Sequence, residues 1–232
     1  LEEPIYVQYI KYIQNLFTFQ FGISLTQQRP VGNIIIPALV NTMVLLLPAL
    51  IATAIVSSLA GMYAGWNRGS WFEQSSIVIT TVFRATPIFV TGIFLLIIFS
   101  YGLGWLPAFG MRSALANPDG YLDTYLSVDF LKHYILPFSA TVLFYSGDFL
   151  MLARNSVVER MGSEFLMLHR AKGLSEMEQL GRAGRNSLLP LVTYFALRTG
   201  MLFQGVITLE VVFAWPGIGR ALVQAILNQD YP

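Results

Sequence analysis

The chain contains long apolar stretches that no charged residue interrupts. Residues 34–67 contain no Asp, Glu, Lys or Arg, and residues 85–111 contain none either. A helix needs about 20 predominantly apolar residues to cross a bilayer, and both stretches are longer than that. One such stretch is also compatible with a buried helix of a soluble protein. Two of them predict a membrane protein.

The hydrophobic pattern predicts an all-α, polytopic membrane protein. Its four predicted spans cover about residues 35–65, 76–101, 134–153 and 188–209. Pro87 lies near the start of the second span, so we expect a kink or a break there. Gly61 and Gly65 are four residues apart in the first span, and this spacing of small residues lets another helix pack closely.

Basic residues decide the predicted orientation of these spans. Six of the fourteen Lys and Arg residues lie between Arg154 and Arg185, and cytoplasmic loops are the ones enriched in Lys and Arg. Residues 154–187 are therefore predicted to be cytoplasmic, while residues 1–33, residues 102–133 and the end of the chain lie outside. Four spans with both ends outside lead us to expect a six-span protein, with one further span on each side of this sequence.

The predicted cytoplasmic segment, residues 154–187, has helical spacing and a sharp bend. Gly173 is typical of a helix C-cap, and Ser175 with Glu178 matches the capping-box pattern S-x-x-E. We therefore expect one helix to end near Gly173 and a second, short helix to begin at Ser175. This pattern is compatible with a helix lying on the membrane surface and with a docking element for a cytoplasmic partner.

Composition narrows the classes of function. Charged residues make up 12% of the chain, about half of the roughly 25% of a soluble domain, and the mean hydropathy is +0.59. A net charge of +1 provides no electrostatic surface for nucleic acid. The absence of cysteine excludes disulfides, thiolate metal sites and cysteine nucleophiles. No G-x-x-x-x-G-K-[ST] motif occurs, so ATP binding of that kind is not expected on this chain.

Four charged residues fall within the predicted spans or at their edges: Arg84, Asp148, Arg198 and Glu210. Charged residues inside a membrane usually face the bundle interior or an aqueous path, and they pair. Our hypothesis is that Asp148, with Arg84 or Arg198, lines a translocation path; purely structural pairs are the alternative. His133 and His169 are predicted on opposite sides of the membrane, so no histidine metal pair is expected.

Two other classes of function compete with transport. An intramembrane protease would need a nucleophile with a base placed beside it, and no histidine reaches the serines of the third span in the predicted topology. A structural membrane scaffold would not require a bent, basic cytoplasmic segment. Both alternatives are therefore weaker than a transport function.

Several stretches carry a resemblance to a known family. Residues 165–175 read Phe-Leu-Met-Leu-His-Arg-Ala-Lys-Gly-Leu-Ser, and residues 185–190 read Arg-Asn-Ser-Leu-Leu-Pro. Residues 210–220 read Glu-Val-Val-Phe-Ala-Trp-Pro-Gly-Ile-Gly-Arg, with shorter matches at 69–71, 103–107 and 225–232. In this order, over nearly the whole chain, they resemble the membrane permease subunits of ABC importers, and most closely the dipeptide/oligopeptide branch.

The resemblance implies a fold and a set of partners. Residues 34–232 would form a type-I ABC importer permease domain in the cell membrane, preceded by an extracytoplasmic segment, residues 1–33. The chain would be a transport subunit and not an enzyme, since ATP and Mg would bind to separate subunits. Its partners would be a second, homologous permease in a heterodimer, two cytoplasmic ATPases, an extracytoplasmic binding protein and the lipid bilayer. Peptides are the expected substrate, with oligosaccharides or nickel and other metal chelates as the alternative.

The resemblance also implies roles for particular residues. Those expected to couple the permease to the ATPases, within or just after residues 154–187, are Glu164, Leu168, Arg170, Ala171, Lys172, Gly173, Leu174, Ser175 and Pro190. A structural motif is expected near the end of the chain, formed by Glu210, Trp215, Pro216, Gly217 and Gly219. No catalytic or metal-binding residue is expected.

Overall fold

The computed structural model describes residues 3–114, 120–161, 163–164, 172–186, 188–201, 203 and 205–231, and these residues form helices and connecting turns without a named strand. The first helices are α1 (Ile5–Phe17), α2 (Gly32–Trp66), α3 (Trp71–Ala85) and α4 (Ile88–Leu95), which continues as a π-helical turn (Leu96–Gly102). They are followed by α5 (Tyr121–Leu126), α6 (Val128–Met161), α7 (Glu176–Asn186), α8 (Leu188–Gly200), α9 (Val206–Val212) and α10 (Ile218–Leu227).

Helices α2 and α6 form the centre of the molecule. They contain 35 and 34 residues, and both are long and apolar enough to cross a membrane. The predicted close packing at the small residues of α2 is confirmed. A Cβ atom at Gly61 would overlap the carbonyl oxygen of Leu150, and one at Gly65 would lie 2.7 Å from the carbonyl oxygen of Arg154. The two backbones therefore approach each other as only glycine allows.

The predicted break near Pro87 is confirmed. Helices α3 and α4 meet at 107°, because a residue before proline avoids the helical region and Thr86 accordingly has an extended backbone (φ −89°, ψ 130°). The pair is either one broken span or a re-entrant loop. Among the described residues, two helices are thus long enough to cross a membrane, or three spans exist if the bent pair counts as one.

The fourth predicted span, 188–209, is not one continuous helix. Helix α8 ends at Gly200, and α9 begins only at Val206. Gly205 has φ +80°, a left-handed conformation that ends a right-handed helix. Helix α8 has 13 residues, which is too short to cross a bilayer alone. The third predicted span, 134–153, is in contrast the middle of the longer helix α6.

The apolar core lies between α2, α4, α6 and α9. Its largest fully buried side chains are Trp215, Phe149, Phe213, Leu45, Leu46 and Leu50. Aromatic rings of α6 extend this core, since Phe130 and Tyr134 lie 5.9 and 6.1 Å from Trp215 between ring centroids. The core therefore fixes α2 and α6 to the loop that follows α9.

One carboxylate joins the segment between α1 and α2 to the end of the described chain. Asp230 accepts hydrogen bonds from the hydroxyls of Ser24 and Thr26, both at 2.6 Å, and from the backbone N–H of Leu25 at 2.7 Å. These bonds lower the pKa of Asp230 below its ordinary value. The segment before α2 is thereby held against the end of the chain.

Candidate functional site

The three charged residues predicted to line a path lie together. Asp148 of α6 is the centre of the cluster: its Oδ1 lies 2.9 Å from Nε of Arg84 in α3, and its Oδ2 accepts a hydrogen bond from Nη2 of Arg198 in α8 at 2.5 Å. Helix α3 reaches Asp148 because of Gly147, where an added Cβ would lie 3.0 Å from the carbonyl oxygen of Thr80. We call Arg84, Asp148, Tyr194 and Arg198 the charge cluster.

Tyr194 is a member of this cluster that the sequence analysis missed. Its hydroxyl donates to Oδ2 of Asp148 at 2.5 Å and accepts from Nε of Arg198 at 2.6 Å. The guanidinium of Arg198 also lies 5.6 Å from the centroid of the Tyr145 ring. One signal was present in the sequence, because Tyr194 precedes Arg198 by four residues and shares its helix face.

The members of the charge cluster differ in exposure. The side chain of Asp148 is 8% exposed, that of Arg198 is 26% exposed and that of Arg84 is 57% exposed. Two guanidinium groups on one carboxylate leave the cluster with a net charge of +1. The accessible charge is therefore positive, and it belongs mainly to Arg84.

A second ion pair joins the first turn of α3 to the last two turns of α6. Arg154 donates from Nη2 and Nε to Oε1 of Glu73, at 2.6 and 2.8 Å. The other oxygen, Oε2, accepts the backbone N–H of Gly69 at 2.5 Å. Both side chains are largely buried. The pair ties the turn between α2 and α3 to the end of α6, where the predicted cytoplasmic segment begins.

The bend predicted in that segment is present in its described part. Gly173 has φ +74°, and α7 starts at Glu176, directly after Ser175. The backbone N–H of Ser175 donates to Oε2 of Glu178 at 2.9 Å, and the Ser175 hydroxyl oxygen accepts from the Glu178 backbone N–H at 3.5 Å, which are the two contacts of a capping box. The hydroxyl also donates to Oε2 of Glu178 at 2.7 Å. These hydrogen bonds lower the pKa of Glu178 below its ordinary value.

The predicted coupling residues are only partly described. Glu164, Lys172, Gly173 and Ser175 are exposed, and Leu174 and Pro190 are half-buried. Leu168, Arg170 and Ala171 lie outside the described residues. The described residues thus place the bend at Gly173 and the start of α7.

Helix α7 is attached to the C-terminal part of α2. A Cβ at Gly184 would lie 2.9 Å from Sδ of Met62, and Ala183 and Gln179 are buried. The Gln179 amide donates to the carbonyl oxygen of Leu174 at 2.7 Å, which closes the bend onto the helix. A displacement of this segment would therefore reach α2.

The residues of the predicted tail motif fold around one buried carboxylate. Glu210 is fully buried and accepts hydrogen bonds from Thr42 Oγ1 at 2.5 Å and from the backbone N–H of Arg220 at 3.0 Å. A Cβ at Gly217 would overlap the Glu210 carboxylate, and one at Gly219 would lie 3.1 Å from its Oε2. The turn can therefore close only with glycine at these positions.

Trp215 and Pro216 attach this turn to α2. The indole N–H of Trp215 donates to the carbonyl oxygen of Asn41 at 3.0 Å, and the Asn41 amide donates to the carbonyl oxygen of Pro216 at 2.8 Å. Together with the buried Trp215 ring, these bonds give the tail motif the contacts of a structural element.

Comparison with known proteins identifies the family. Residues 57–232 match the family described as binding-protein-dependent transport system inner membrane component. The chain belongs to this permease family. The resemblance found in the sequence is thus confirmed, and the permease is a multi-pass membrane subunit of an ABC importer that performs transport and is not itself an enzyme. Membership in this family implies a substrate-binding protein and ATPase subunits as its partners.

Relatives cover the whole permease chain. It is 35% identical to the dipeptide transport system permease protein DppB of Alkalihalophilus pseudofirmus, over 100% of this chain and 73% of the relative. It is 33% identical to the di/tripeptide transport system permease protein DppB of Pseudomonas aeruginosa, with the same coverage. Identity to the glutathione transport system permease protein GsiC of Shigella flexneri is 33%, over 100% of this chain and 71% of the relative.

Proposed function

We propose that the permease forms the translocation path of an ATP-driven importer for di- or oligopeptides. The observation that carries this proposal is the similarity along the entire chain to permeases named for dipeptides, for di- and tripeptides and for glutathione. Glutathione is itself a peptide, so these relatives share one substrate class. Oligosaccharides and metal chelates remain the alternative substrates, and no feature of the charge cluster favours them.

The path passes the charge cluster. Arg84 lies eleven residues beyond Glu73 in α3, and Asp148 lies six residues before Arg154 in α6. At 1.5 Å per residue, they are about 16 and 9 Å along their helices from the Glu73–Arg154 pair, where the predicted cytoplasmic segment begins. The hydrocarbon core is about 30 Å thick, so both side chains lie inside the membrane, where a charge needs a polar surrounding. A path for charged peptides supplies that surrounding.

The segment 154–187 couples the permease to two cytoplasmic ATPase subunits, which bind ATP and Mg. The bend at Gly173 presents the exposed Lys172 away from the bundle, and α7 behind the bend rests on Met62 of α2. Closure of the ATPases would displace this segment and, through α7 and the Glu73–Arg154 pair, the inner ends of α2, α3 and α6. A second, homologous permease completes the path as a heterodimer.

Docking is tested by co-purification. The full-length permease is purified in detergent together with its partner subunits, once as the native chain and once as the Gly173→Asp variant. Gly104→Asp is the matched control, because Gly104 also has a positive φ and open space around it but lies in the loop after the π-helical turn, outside the coupling segment. We expect the ATPase to co-purify with the native chain and with Gly104→Asp and to be lost with Gly173→Asp. Equal recovery with all three would refute docking at the bend.

The substrate is tested by uptake into proteoliposomes. The complete importer with its binding protein is given tritium-labelled dialanine and trialanine, an oligosaccharide and a nickel chelate. ATP is supplied on the side of the vesicle membrane that the ATPase subunits face. We expect ATP-dependent uptake of the peptides only. Uptake of the sugar or the chelate in place of the peptides would replace the proposed substrate while leaving the permease function intact.

A further inference from the structure

The side chains of the charge cluster are not equally available to a ligand. Asp148 is nearly buried, and its carboxylate already has three partners: Arg84, Tyr194 and Arg198. The α-ammonium group of a peptide would need a free carboxylate, and Asp148 does not provide one. The residue that the sequence favoured for the path is therefore the shielded member of the cluster.

Arg84 has the opposite properties. Its side chain is 57% exposed, and Nε forms the ion pair with Asp148. Within the described part of the chain, no other group accepts from its guanidinium, so its terminal nitrogens remain open to a ligand. Arg198 already neutralises Asp148 and is held by Tyr194. Arg84 is thus a second cation that the structural pair does not require.

An exposed arginine at this depth cannot face hydrocarbon without cost. Ionisable side chains within membrane segments face a bundle interior or a water-filled cavity, or they reach the interface. The ion pair with Asp148 keeps the Arg84 guanidinium beside α6, away from the helix end. A carboxylate is the ligand that matches a guanidinium best, because it accepts two parallel hydrogen bonds.

We propose that Arg84 binds a carboxylate of the transported peptide, while Asp148 and Arg198 position its guanidinium. This inference rests on the proposed peptide transport. The proposed contact is with a carboxylate of the peptide and not with its ammonium group, because the charge cluster offers hydrogen-bond donors and a net positive charge but no open acceptor. Peptides with a free C-terminus would then pass the cluster with the C-terminal carboxylate on Arg84.

The first experiment uses the absence of cysteine from this chain. Arg84→Cys places a single thiol in the permease, which is assembled with its partner subunits in cysteine-free form. The thiol is treated with aminoethyl, sulfonatoethyl or methyl methanethiosulfonate, which add a positive, a negative or no charge. Arg68→Cys is the control, because Arg68 is an exposed arginine in the turn before α3.

We expect Arg84→Cys to lower dialanine uptake by about tenfold to a hundredfold, the range of a hydrogen bond to a charged group. The aminoethyl reagent should restore a large part of the uptake, and the other two reagents should not. Arg68→Cys should react and keep its uptake with every reagent. If lipid or a partner subunit covers position 84, the thiol stays unreactive in the assembled importer, and this result would overturn the inference. Equal effects of the three reagents would also overturn it.

The second experiment identifies the carboxylate. Uptake of free-acid dialanine and of dialanine amide is compared between the native importer and Arg84→Gln. We expect Arg84→Gln to reduce free-acid uptake and to leave amide uptake at its native level. An equal reduction for both peptides would overturn recognition of the C-terminus. If the native importer takes up no peptide, the proposed function itself fails; if Arg84→Gln takes up free-acid dialanine normally, only this inference fails.

Discussion

Glu73 and Arg154 form a largely buried ion pair between the start of α3 and the last two turns of α6, while Arg84 and Asp148 form another at the far end of α3. Helix α3 is therefore fixed to α6 at both of its ends. Arg154 lies seven residues before the end of α6, close to the start of the segment proposed to dock on the ATPases. A movement of that segment can thus reach the charge cluster along α3.

Neutralising Glu73 should destabilise the permease strongly. In Glu73→Gln, Arg154 would keep a largely buried charge without its carboxylate, and breaking a buried pair costs about 3 kcal/mol in free energy of unfolding. Thermal unfolding of the detergent-purified permease measures the effect. Glu159→Gln, on the exposed side of α6, is the control and should unfold like the native chain.

The double variant Glu73→Gln with Arg154→Gln provides a sharper test of the same pair. Because it removes both charges, it should be less destabilised than the sum of the two single variants. Strict additivity of the three values would show that the two side chains do not stabilise each other.

The turn around Glu210 should not tolerate a methyl group at Gly217. The carboxylate is held by Thr42 and Arg220, so it cannot move aside without losing hydrogen bonds. Overpacking of a filled site costs about 1–3 kcal/mol, and we expect Gly217→Ala to lower both the unfolding temperature and the amount of folded protein. Gly32→Ala, where nothing lies within 4 Å, should have little effect. Equal unfolding temperatures for the two variants would contradict this account of the turn.

Local signals in the sequence were enough to predict several structural features. Proline at position 87 ends a helix through its own ring, Gly173 adopts its positive φ without a side chain, and Ser175 caps the turn that directly follows it. The close packing at Gly61 and Gly65 is also a property of one helix face. Each of these depends on residues within one or two helical turns of each other.

Features that depend on distant residues were not predictable in the same way. The position of the charged residues inside predicted spans suggested that Asp148 lines a path with Arg84 or Arg198 or forms a structural pair, but only the packing of α3 and α8 on α6 shows that both arginines pair with it and that Arg84 is the exposed one. Similarly, the apolar residues of 188–209 predicted one continuous span, although the helix ends at Gly200 and the backbone turns at Gly205. The mean hydropathy of a segment does not depend on its backbone conformation and therefore does not reveal such a turn.

Acid should release the contact between Asp230 and the segment before α2. The hydrogen bonds from Ser24 and Thr26 lower the pKa of Asp230 in the folded state, so the stabilisation is present above the ordinary aspartate pKa of about 3.9 and is lost as the pH falls through the lowered value. Hydrogen exchange at the Leu25 amide, which donates to Asp230, reports this contact. Its protection factor should stay constant from pH 7 to 5 and fall only below about pH 4.

Asp230→Asn is the matched variant for this pH dependence. It removes the titrating group but keeps an oxygen that can accept the Leu25 N–H, so the protection of the Leu25 amide should no longer change with pH. Loss of protection in the native chain near pH 6 would indicate that another group controls the contact.

The capping box of α7 should matter for coupling more than for folding. Ser175→Ala removes the side chain that bonds Glu178, which costs about 1 kcal/mol at a helix N-cap. We expect the first turn of α7 to exchange its amide hydrogens faster, while the unfolding temperature of the whole permease changes little, because the core between α2 and α6 does not include this turn. Since α7 links the bend at Gly173 to Met62, uptake per ATP hydrolysed should fall several-fold in proteoliposomes. Ser175→Thr keeps an N-cap hydroxyl and should restore both the slow exchange and the uptake. If Ser175→Ala exchanges faster but transports normally, the ordered start of α7 is not required for coupling.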